Sequence, residues 1–158
     1  MYQRDKAIKD IVRKDEMLDV INRAKICHVG FVDGDKPYVL GFNFGYENDN
    51  IYLHCAREGK KLEILEKNNN VCVFFDVDHE FFHRHEKVAC SYRMRYKSVM
   101  AIGKAYIIDN YDEKIKALNV IMKHYTDKEF EYSKPSVDNV KIILIKIEKM
   151  TGRKFEYL

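Results

Sequence analysis

Three strand-like stretches joined by short polar turns fill residues 25–55, and they constrain the fold more than any other feature. KICHVGFV ends at the turn DGDK, PYVLGFNFGY follows, and the turn ENDN precedes IYLHC. Apolar runs separated by turns this tight predict an antiparallel meander. Further strands are predicted at VCVFFDV, from about Arg93 to Ile108 with a bend or bulge at Gly103, and at VKIILIKIEKM. Six strands with few, short helices predict a mainly β fold, a small closed barrel whose openings are plugged by helices.

Three helices are predicted from apolar residues that recur with helical spacing. The second, KKLEILEKN, is stopped by the asparagines at 68–70, and the third, YDEKIKALNVIMKHY, has Asp109 or Asn110 as its N-cap. The predicted apolar faces are Met17, Leu18, Ile21 and Ala24 in the first helix and Ile115, Leu118, Ile121 and Met122 in the third. A chain of 158 residues is expected to form one domain over 1–158.

Composition excludes several classes of protein. The net charge is only +3, with lysine and glutamate interspersed, so no basic face for nucleic acid is expected. No apolar run approaches the roughly 18 residues of a membrane span, and the N-terminus MYQRDKAIKD lacks the apolar region of a signal peptide. A cytoplasmic protein is therefore expected. Its cysteines, Cys27, Cys55, Cys72 and Cys90, contain no C-x-x-C pair and are expected to be reduced, buried thiols without disulfides or structural zinc.

Residues 79–83, HEFFH, match the H-E-x-x-H pattern of zinc metalloproteases. That chemistry needs both histidines on one face of a helix, with a glutamate beside the metal-bound water. Here the motif follows a strand, and its flank HRHEKVACS has no helical period. We expect a surface loop between strands in which His79, His83 and His85 hold no functional metal.

Strand two has two unlike faces. Alternation places Tyr38, Leu40, Phe42, Phe44 and Tyr46 on one side and Val39, Gly41, Asn43 and Gly45 on the other. Glycine is unfavourable inside a strand, so the second face either lets a ligand approach the backbone or marks a sharply coiled barrel strand. The sequence leaves both interpretations open.

A basic helix start follows one hairpin later. Gly59 precedes a helix whose first turn carries Lys60 and Lys61, and lysine at a helix N-terminus opposes the macrodipole. A phosphate bound at the helix start would make the two lysines stabilising instead of destabilising. The alternative is that both lysines are simply solvated. A bare strand face beside a phosphate-binding helix start suits a cofactor made of a flat ring and a phosphate.

These blocks together resemble a known family. The segments GFVDGDKPYVLGFNFGYENDNIYLHCAREGKKLEIL, VCVFFDVDHE and ACSYRMRYKSVMAIGKA resemble the FMN-binding split barrels related to pyridoxamine 5′-phosphate oxidase, in particular the branch of nitroimidazole-resistance proteins. The resemblance covers about Lys25 to Gly152. It implies a six-stranded antiparallel Greek-key split barrel that forms a homodimer with FMN at the subunit interface.

The resemblance also implies a set of cofactor contacts. Lys60 and Lys61 match the family's phosphate-binding residues, and His54 and Cys55 match the strand that lines the flavin. Ser98 matches a polar residue that contacts the cofactor. The strand along the flavin ring corresponds to Val39, Leu40, Gly41, Phe42, Asn43 and Phe44.

These residues predict an FMN-dependent reductase or oxidase of a small planar molecule such as a nitroaromatic or quinone. His54 either donates a proton to the substrate, as the family branch implies, or only lines the cofactor. NAD(P)H is a possible reductant, but no G-x-G-x-x-G motif follows a strand, so no Rossmann site is expected. The chain lacks tryptophan and ends TGRKFEYL, which departs from the substrate motif of the true oxidases.

Alternatives come from other classes. One is a non-catalytic carrier or sensor that holds flavin or haem in the same pocket; haem stays open because of the histidine-rich segment. The third hypothesis, after the reductase and the carrier, is a zinc hydrolase. The doubly apolar run IILI and the basic strand RMRYK favour a homodimer. Arg93, Arg95 and Lys97 alternate on one strand face, either lining a cleft for an anion or forming salt bridges.

Overall fold

The computed structural model describes residues 7–157, with eight strands and four helices in that range. The strands are β1 (Ile8–Ile11), β2 (Cys27–Asp33), β3 (Lys36–Phe42), β4 (Gly45–Glu47), β5 (Asn50–Ala56), β6 (Asn70–His83), β7 (Tyr92–Ile108) and β8 (Val140–Phe155). The helices are α1 (Lys14–Arg23), α2 (Lys60–Lys67), α3 (Tyr111–Tyr125) and α4 (Lys134–Asp138), and a short 3-10 turn spans Ala89–Ser91. No helix in the described range is long and apolar enough to cross a membrane.

The strands form one antiparallel sheet that curls back on itself. Its order is β3-β2-β6-β7-β8-β5-β4, with β1 added beside β8. The first and last strands of this path, β3 and β4, are separated only by Asn43 and Phe44, so a single stretch of chain joins the two ends of the sheet. Counting β3 with β4, the six strands predicted from the sequence are confirmed, and the antiparallel split barrel is confirmed with them. β1, which the sequence analysis did not predict, is a seventh.

The barrel interior is filled by alternate strand residues and by one side of two helices. Val29, Phe75, Leu53 and Ile143 are fully buried, and Phe44 meets Phe75 with their ring centroids 5.0 Å apart. α1 contributes Met17, Val20 and Ile21, and α2 contributes Leu62, Ile64 and Leu65. Burial of this apolar surface is what stabilises the barrel, at about 25 cal/mol per Å² removed from water.

α3 packs outside the barrel against β4 and β5. Its bounds match the sequence prediction, and the Asn110 side chain caps it by accepting from the Glu113 N–H at 3.0 Å. Its predicted inward face is partly wrong. Ile121 is buried as expected, but the other buried positions are Lys114, Ala117 and Val120, whereas Ile115, Leu118 and Met122 are only partly buried.

The long strand β7 bends where the sequence indicated. The β7–β8 register shifts between Ile102 and Gly103, and a Cβ at 103 would lie 2.1 Å from the Lys146 carbonyl oxygen. A side chain there would collide with the neighbouring backbone, so the predicted bulge at Gly103 is confirmed.

Beyond the barrel, β6 and β7 continue as a two-stranded ribbon. The motif at 79–83 lies in β6 and pairs with β7, so the prediction of a loop there is wrong; β6 continues through His83 after a bulge between Val77 and Glu80. The cysteines also differ from expectation: Cys27 and Cys55 are buried and Cys72 is partly buried, but Cys90 is an exposed thiol in the 3-10 turn, and all four are free.

Candidate functional site

The seam between the two ends of the sheet is half closed. β4 pairs with residues Asn50–Tyr52 of β5. The rest of β5, Leu53–Ala56, pairs with β8 on one edge, and β3 pairs with β2 on one edge. Within residues 7–157 the opposite edges of these two segments carry no strand partner. We call the gap between Lys36–Phe42 and Leu53–Ala56 the split.

The register shows which residues flank the split. The closed ladder ends at Gly45 opposite Tyr52. If the β4–β5 ladder continued beyond Gly45 in the same register, it would place Asn43 opposite His54 and Gly41 opposite Ala56. All four of these residues are exposed. Because an unpaired strand edge presents free N–H and C=O groups, the split offers a planar ligand both backbone hydrogen bonds and a face with little side chain.

The alternation predicted for strand two is confirmed as far as Asn43, but Gly45, which was predicted on the same bare face, is buried against α3. Val39, Gly41 and Asn43 face outward, and Val39 is 61% exposed. Leu40, Phe42 and Phe44 face the core, so these three predicted cofactor residues present only their backbone to the split.

Cys55 also points into the barrel, and its neighbour His54 points out. Burial raises the pKa of the Cys55 thiol, while the positive charges of Lys61 and Lys141 oppose that rise. Cys55 is therefore a protonated core thiol at neutral pH, and of the two predicted β5 residues only His54 offers its side chain at the surface of the split.

The end of the open segment is held by α3. The Phe44 N–H donates to the Tyr125 hydroxyl at 3.1 Å, and that hydroxyl donates to the Lys25 carbonyl at 2.8 Å. Burial raises the pKa of Tyr125, so it stays a donor. A Cβ on Gly45 would lie 2.6 Å from backbone atoms of Val120 and Ile121, so the helix could not approach this closely if Gly45 had a side chain.

The α2 N-terminus follows β5 directly. Gly59 precedes it with φ of 148°, a conformation that favours glycine, and no side chain caps the helix. A Cβ at Gly59 would lie 3.7 Å from the Lys61 ammonium nitrogen. The first turn therefore keeps uncapped amide groups and a cation beside a position without a side chain, which are the elements of an anion site.

The two lysines differ in their surroundings. Lys60 lies 3.5 Å from an Asp33 carboxylate oxygen and 4.8 Å from the centre of the Tyr38 ring. Lys61 has no hydrogen bond or ion pair with any residue in the described range. Of the two, Lys61 is the cation left without a carboxylate.

Lys141 is a neighbour that the sequence analysis missed. β8 sets it opposite Cys55, so a third ammonium group lies near the split, although it also reaches Asp109 at 3.5 Å. Only the pairing of β5 with β8, which are distant in sequence, brings it here, and no local pattern could have indicated that.

Ser98 is not brought to the split. Across the sheet, Ser98 on β7 pairs with Asp76 on β6 and with Arg153 on β8. His54 on β5 pairs with Ile142 on β8, which in turn pairs with Ile108 on β7. Ser98 and Ile108 are ten residues apart on β7, about 33 Å along the strand. Within one chain Ser98 and His54 therefore flank different places, and the assignment of Ser98 to the cofactor stays a prediction.

The other two candidate sites have structural partners. Arg93 lies 2.9 Å from Glu156, Arg95 3.5 Å from Glu80 and Lys97 3.6 Å from Asp78, so the basic row is salt-bridged, as one of the two interpretations held.

In the HEFFH segment, the His79 Nε2 lies 2.9 Å from Asp76 and the His83 ring packs 4.7 Å from the Tyr92 ring. No cluster of three or more histidine, cysteine or acidic side chains suited to a metal occurs between residues 7 and 157.

The family of the chain follows from comparison with known proteins. The family model for pyridoxamine 5′-phosphate oxidase matches residues 13–154, and the chain belongs to this family. A search of curated proteins finds no match.

Solved structures extend the comparison. A Bacteroides thetaiotaomicron protein to which 5-nitroimidazole antibiotic resistance is ascribed is 40% identical, with 98% of this chain and 96% of that chain covered and a TM-score of 0.83. The FAD and heme binding protein of Mycobacterium smegmatis is 16% identical, with 94% and 74% covered and a TM-score of 0.81.

The flavocytochrome Anf3 of Azotobacter vinelandii is 16% identical, with 96% and 70% covered and a TM-score of 0.78. At that identity, the last two show a shared fold only.

Proposed function

We propose that this protein binds FMN in the split and acts as a flavin-dependent reductase of a small planar molecule such as a nitroaromatic or a quinone. The observation that carries the proposal is the pair of free edges on β3 and β5, with the uncapped α2 N-terminus directly after β5. Family membership and the flavin-binding relatives support it.

The residues at the split fit such a cofactor. Lys60, Lys61 and the first amide groups of α2 would hold the phosphate, since two ammonium groups and the positive end of the helix dipole favour a dianion. Backbone groups of Val39–Phe44 would hydrogen-bond the edge of the ring, and Gly41 and Asn43 leave its face uncovered. Gly59 leaves room beside Lys61 that a side chain would fill.

Bound flavin would supply the electron chemistry, and the chain would supply position and protons. His54 is exposed on the outer face of β5, opposite Asn43 if the ladder between β4 and β5 is continued. An imidazole can act as a general acid, so His54 would protonate the reduced product. If His54 only lines the cofactor, the variant His54→Gln will lower flavin affinity without changing the pH profile of turnover.

The substrate class draws support from the relative with 40% identity, a protein linked to 5-nitroimidazole resistance. A nitroimidazole is a small planar ring, which suits an open face flanked by Gly41 and Asn43. Oxidation of pyridoxine phosphate is not proposed, because the chain has no tryptophan and its C-terminal segment departs from the oxidase motif.

The test is spectroscopic. Protein mixed with FMN and desalted should keep flavin absorbance near one equivalent per chain, and NADH or NADPH should bleach it under nitrogen. Addition of a 5-nitroimidazole or a quinone should then restore the absorbance. Loss of all flavin on desalting would refute the proposal.

A homodimer is part of this proposal. The outer face of β3, β2, β6 and β7 exposes apolar side chains in neighbouring rows: Val39, Phe74, Met100 and Ile102. A second copy would cover this face, and it is also how Ser98 could reach a cofactor held in the split of its partner. Light scattering at micromolar concentration should give twice the mass of 18.8 kDa; a monomer that still retains FMN would refute the dimer alone.

The second candidate is a carrier or sensor that holds flavin or haem without turnover. It is favoured by the flavocytochrome and by the FAD and heme binding protein, which share the fold. Flavin that neither nucleotide bleaches, although dithionite does, would select the carrier. Haem titration resolves the remaining choice, since a haem complex has an intense absorption band that flavin lacks.

A further inference from the structure

Asn43 and Phe44 form the link at which strand two changes its partner strand. β3 ends at Phe42, still paired with β2, and β4 begins at Gly45, already paired with β5. Neither Asn43 nor Phe44 belongs to a strand. Because the open segment and the closed segment meet at this link, its conformation sets how far β3 lies from β5 across the split.

Two consecutive residues at the end of α3, His124 and Tyr125, hold this link to the joint between α1 and β2. The Tyr125 hydroxyl accepts from the Phe44 N–H at 3.1 Å and donates to the Lys25 carbonyl at 2.8 Å. The His124 Nε2 lies 2.6 Å from the Ala24 carbonyl oxygen. A carbonyl oxygen can only accept, so this ring nitrogen carries the proton. The two side chains therefore tie neighbouring carbonyls of one joint to the backbone of the other.

Packing fixes the same link from both sides. The Phe44 side chain is fully buried, with its ring centroid 4.2 Å from that of His124 and 5.0 Å from that of Phe75. Asn43 precedes Phe44 directly and faces outward. A fixed Phe44 therefore limits where Asn43 lies along the edge of the split.

These contacts are not needed to keep α3 on the barrel. The helix is already held by its buried residues Ala117, Val120 and Ile121, and by the close approach of its backbone to Gly45. The hydrogen bonds of its last turn are directed at the α1–β2 joint and at the link in strand two. Their effect is expected at the split more than in the core.

We propose that His124 and Tyr125 are positioning residues for the flavin, which act through Phe44 to hold the free edges of β3 and β5 at one spacing. The inference rests on the proposed function, since it requires FMN in the split. Edges that are already ordered in the free protein bind a planar ring with a smaller loss of conformational entropy. Loss of either contact should therefore reduce flavin affinity.

The test is a titration of the purified full chain with FMN at room temperature, followed by flavin fluorescence. Tyr125→Phe removes the acceptor of the Phe44 N–H, and it should weaken FMN binding roughly 3–10-fold, the effect of losing about one hydrogen bond. Its Tm should fall by about 2–4 °C. Asn110→Ala, which removes the cap at the other end of α3, is the matched control. It should lower the Tm by a similar about 2–4 °C and leave FMN affinity unchanged.

Two substitutions of His124 separate its hydrogen bond from its packing. His124→Gln keeps an N–H that can donate to the Ala24 carbonyl, whereas His124→Leu leaves that carbonyl without this donor. His124→Leu should weaken FMN binding roughly 3–10-fold, and His124→Gln should keep most of the affinity. A role in packing alone predicts the opposite order, because leucine is the better residue beside Phe44.

Amide hydrogen exchange without FMN examines the link itself. The Phe44 N–H should exchange faster in Tyr125→Phe than in the wild type, while the amides of Ile51 and Leu53 in β5 keep their rates.

Three results would overturn the positioning role alone: Tyr125→Phe binding FMN as tightly as the wild type, Asn110→Ala losing as much affinity as Tyr125→Phe, or an unchanged exchange rate at Phe44. A wild type that binds no FMN is a different outcome, since it would reject the flavin proposal and this one with it.

Discussion

The seam between β3–β4 and β5 has two halves that are formed by the same two stretches of chain, but only one of them is closed by strand pairing. In the closed half, β4 pairs with β5, α3 covers Gly45, and the Phe44 N–H has its acceptor in Tyr125. In the open half, one edge of β3 and one edge at the end of β5 have no strand partner among the described residues, and Gly41 has nothing nearer than 3.9 Å to where its Cβ would be. One half satisfies its backbone polar groups within the chain, and the other is where we propose that a ligand binds.

The charges divide in the same way. At the closed end, Tyr46 donates to Asp49 at 2.9 Å and Lys14 lies 2.9 Å from the same carboxylate. At the open end, Lys61 has no such partner within the described residues. An unpaired cation beside an uncapped helix start costs stability unless a ligand offsets it, so the difference points to function rather than to packing.

The two glycines of strand two give the largest contrast. Gly45→Ala would force a methyl against the α3 backbone, so it should destabilise the protein by about 3 kcal/mol or more. Gly41→Ala should change the free energy of unfolding by about 1 kcal/mol or less, because the position has room, yet weaken FMN binding. Urea denaturation and FMN titration of both variants measure the two effects. Similar losses of stability in both would remove the distinction between the halves.

Lys61 provides the next test. Lys61→Gln should weaken FMN binding by roughly 10–100-fold, since a charge-assisted contact to phosphate is worth about 1.5–3 kcal/mol. Without FMN the same change should leave stability equal or raise it by about 0.3–1 kcal/mol, because the lysine opposes the helix dipole. Lys67→Gln, at the other end of α2, is the matched control and should keep full FMN affinity. An equal loss in both variants would mean that general charge, not the helix start, governs binding.

Local patterns were enough to predict the elements whose signals are local. α3 begins at Tyr111 after an Asn110 cap, α2 ends before the asparagines, and Gly103 marks the bulge in β7. The alternation in strand two also gave the outward face of Gly41 and Asn43. In each case the determinant is a spacing or a residue type within a few positions.

What sequence could not supply depends on pairing between distant segments. The division of strand two into β3 and β4 comes from its pairing with β2 on one side and β5 on the other. The end of β6, from Glu80 to His83, is a strand because it pairs with β7, although its sequence pattern predicted a loop. Ser98 and Arg153 lie opposite each other only because β7 pairs with β8, so no local pattern could indicate that they meet.

The smallest expected effect concerns pH and the closed half. Burial, and after it the hydrogen bond to Asp49, raise the pKa of Tyr46 from 10.0 to about 12. Because the pKa is higher in the folded state, the contribution of Tyr46 is complete below pH 10.0 and is lost as the pH rises towards about 12. The Tm should therefore fall between pH 10 and 12 by more in the wild type than in Tyr46→Phe. Tyr106→Phe, at an exposed position on β7, should fall as the wild type does. An identical fall in all three proteins would show that ionisation of Tyr46 does not open the closed half, and that the paired half of the seam owes its stability to α3 instead.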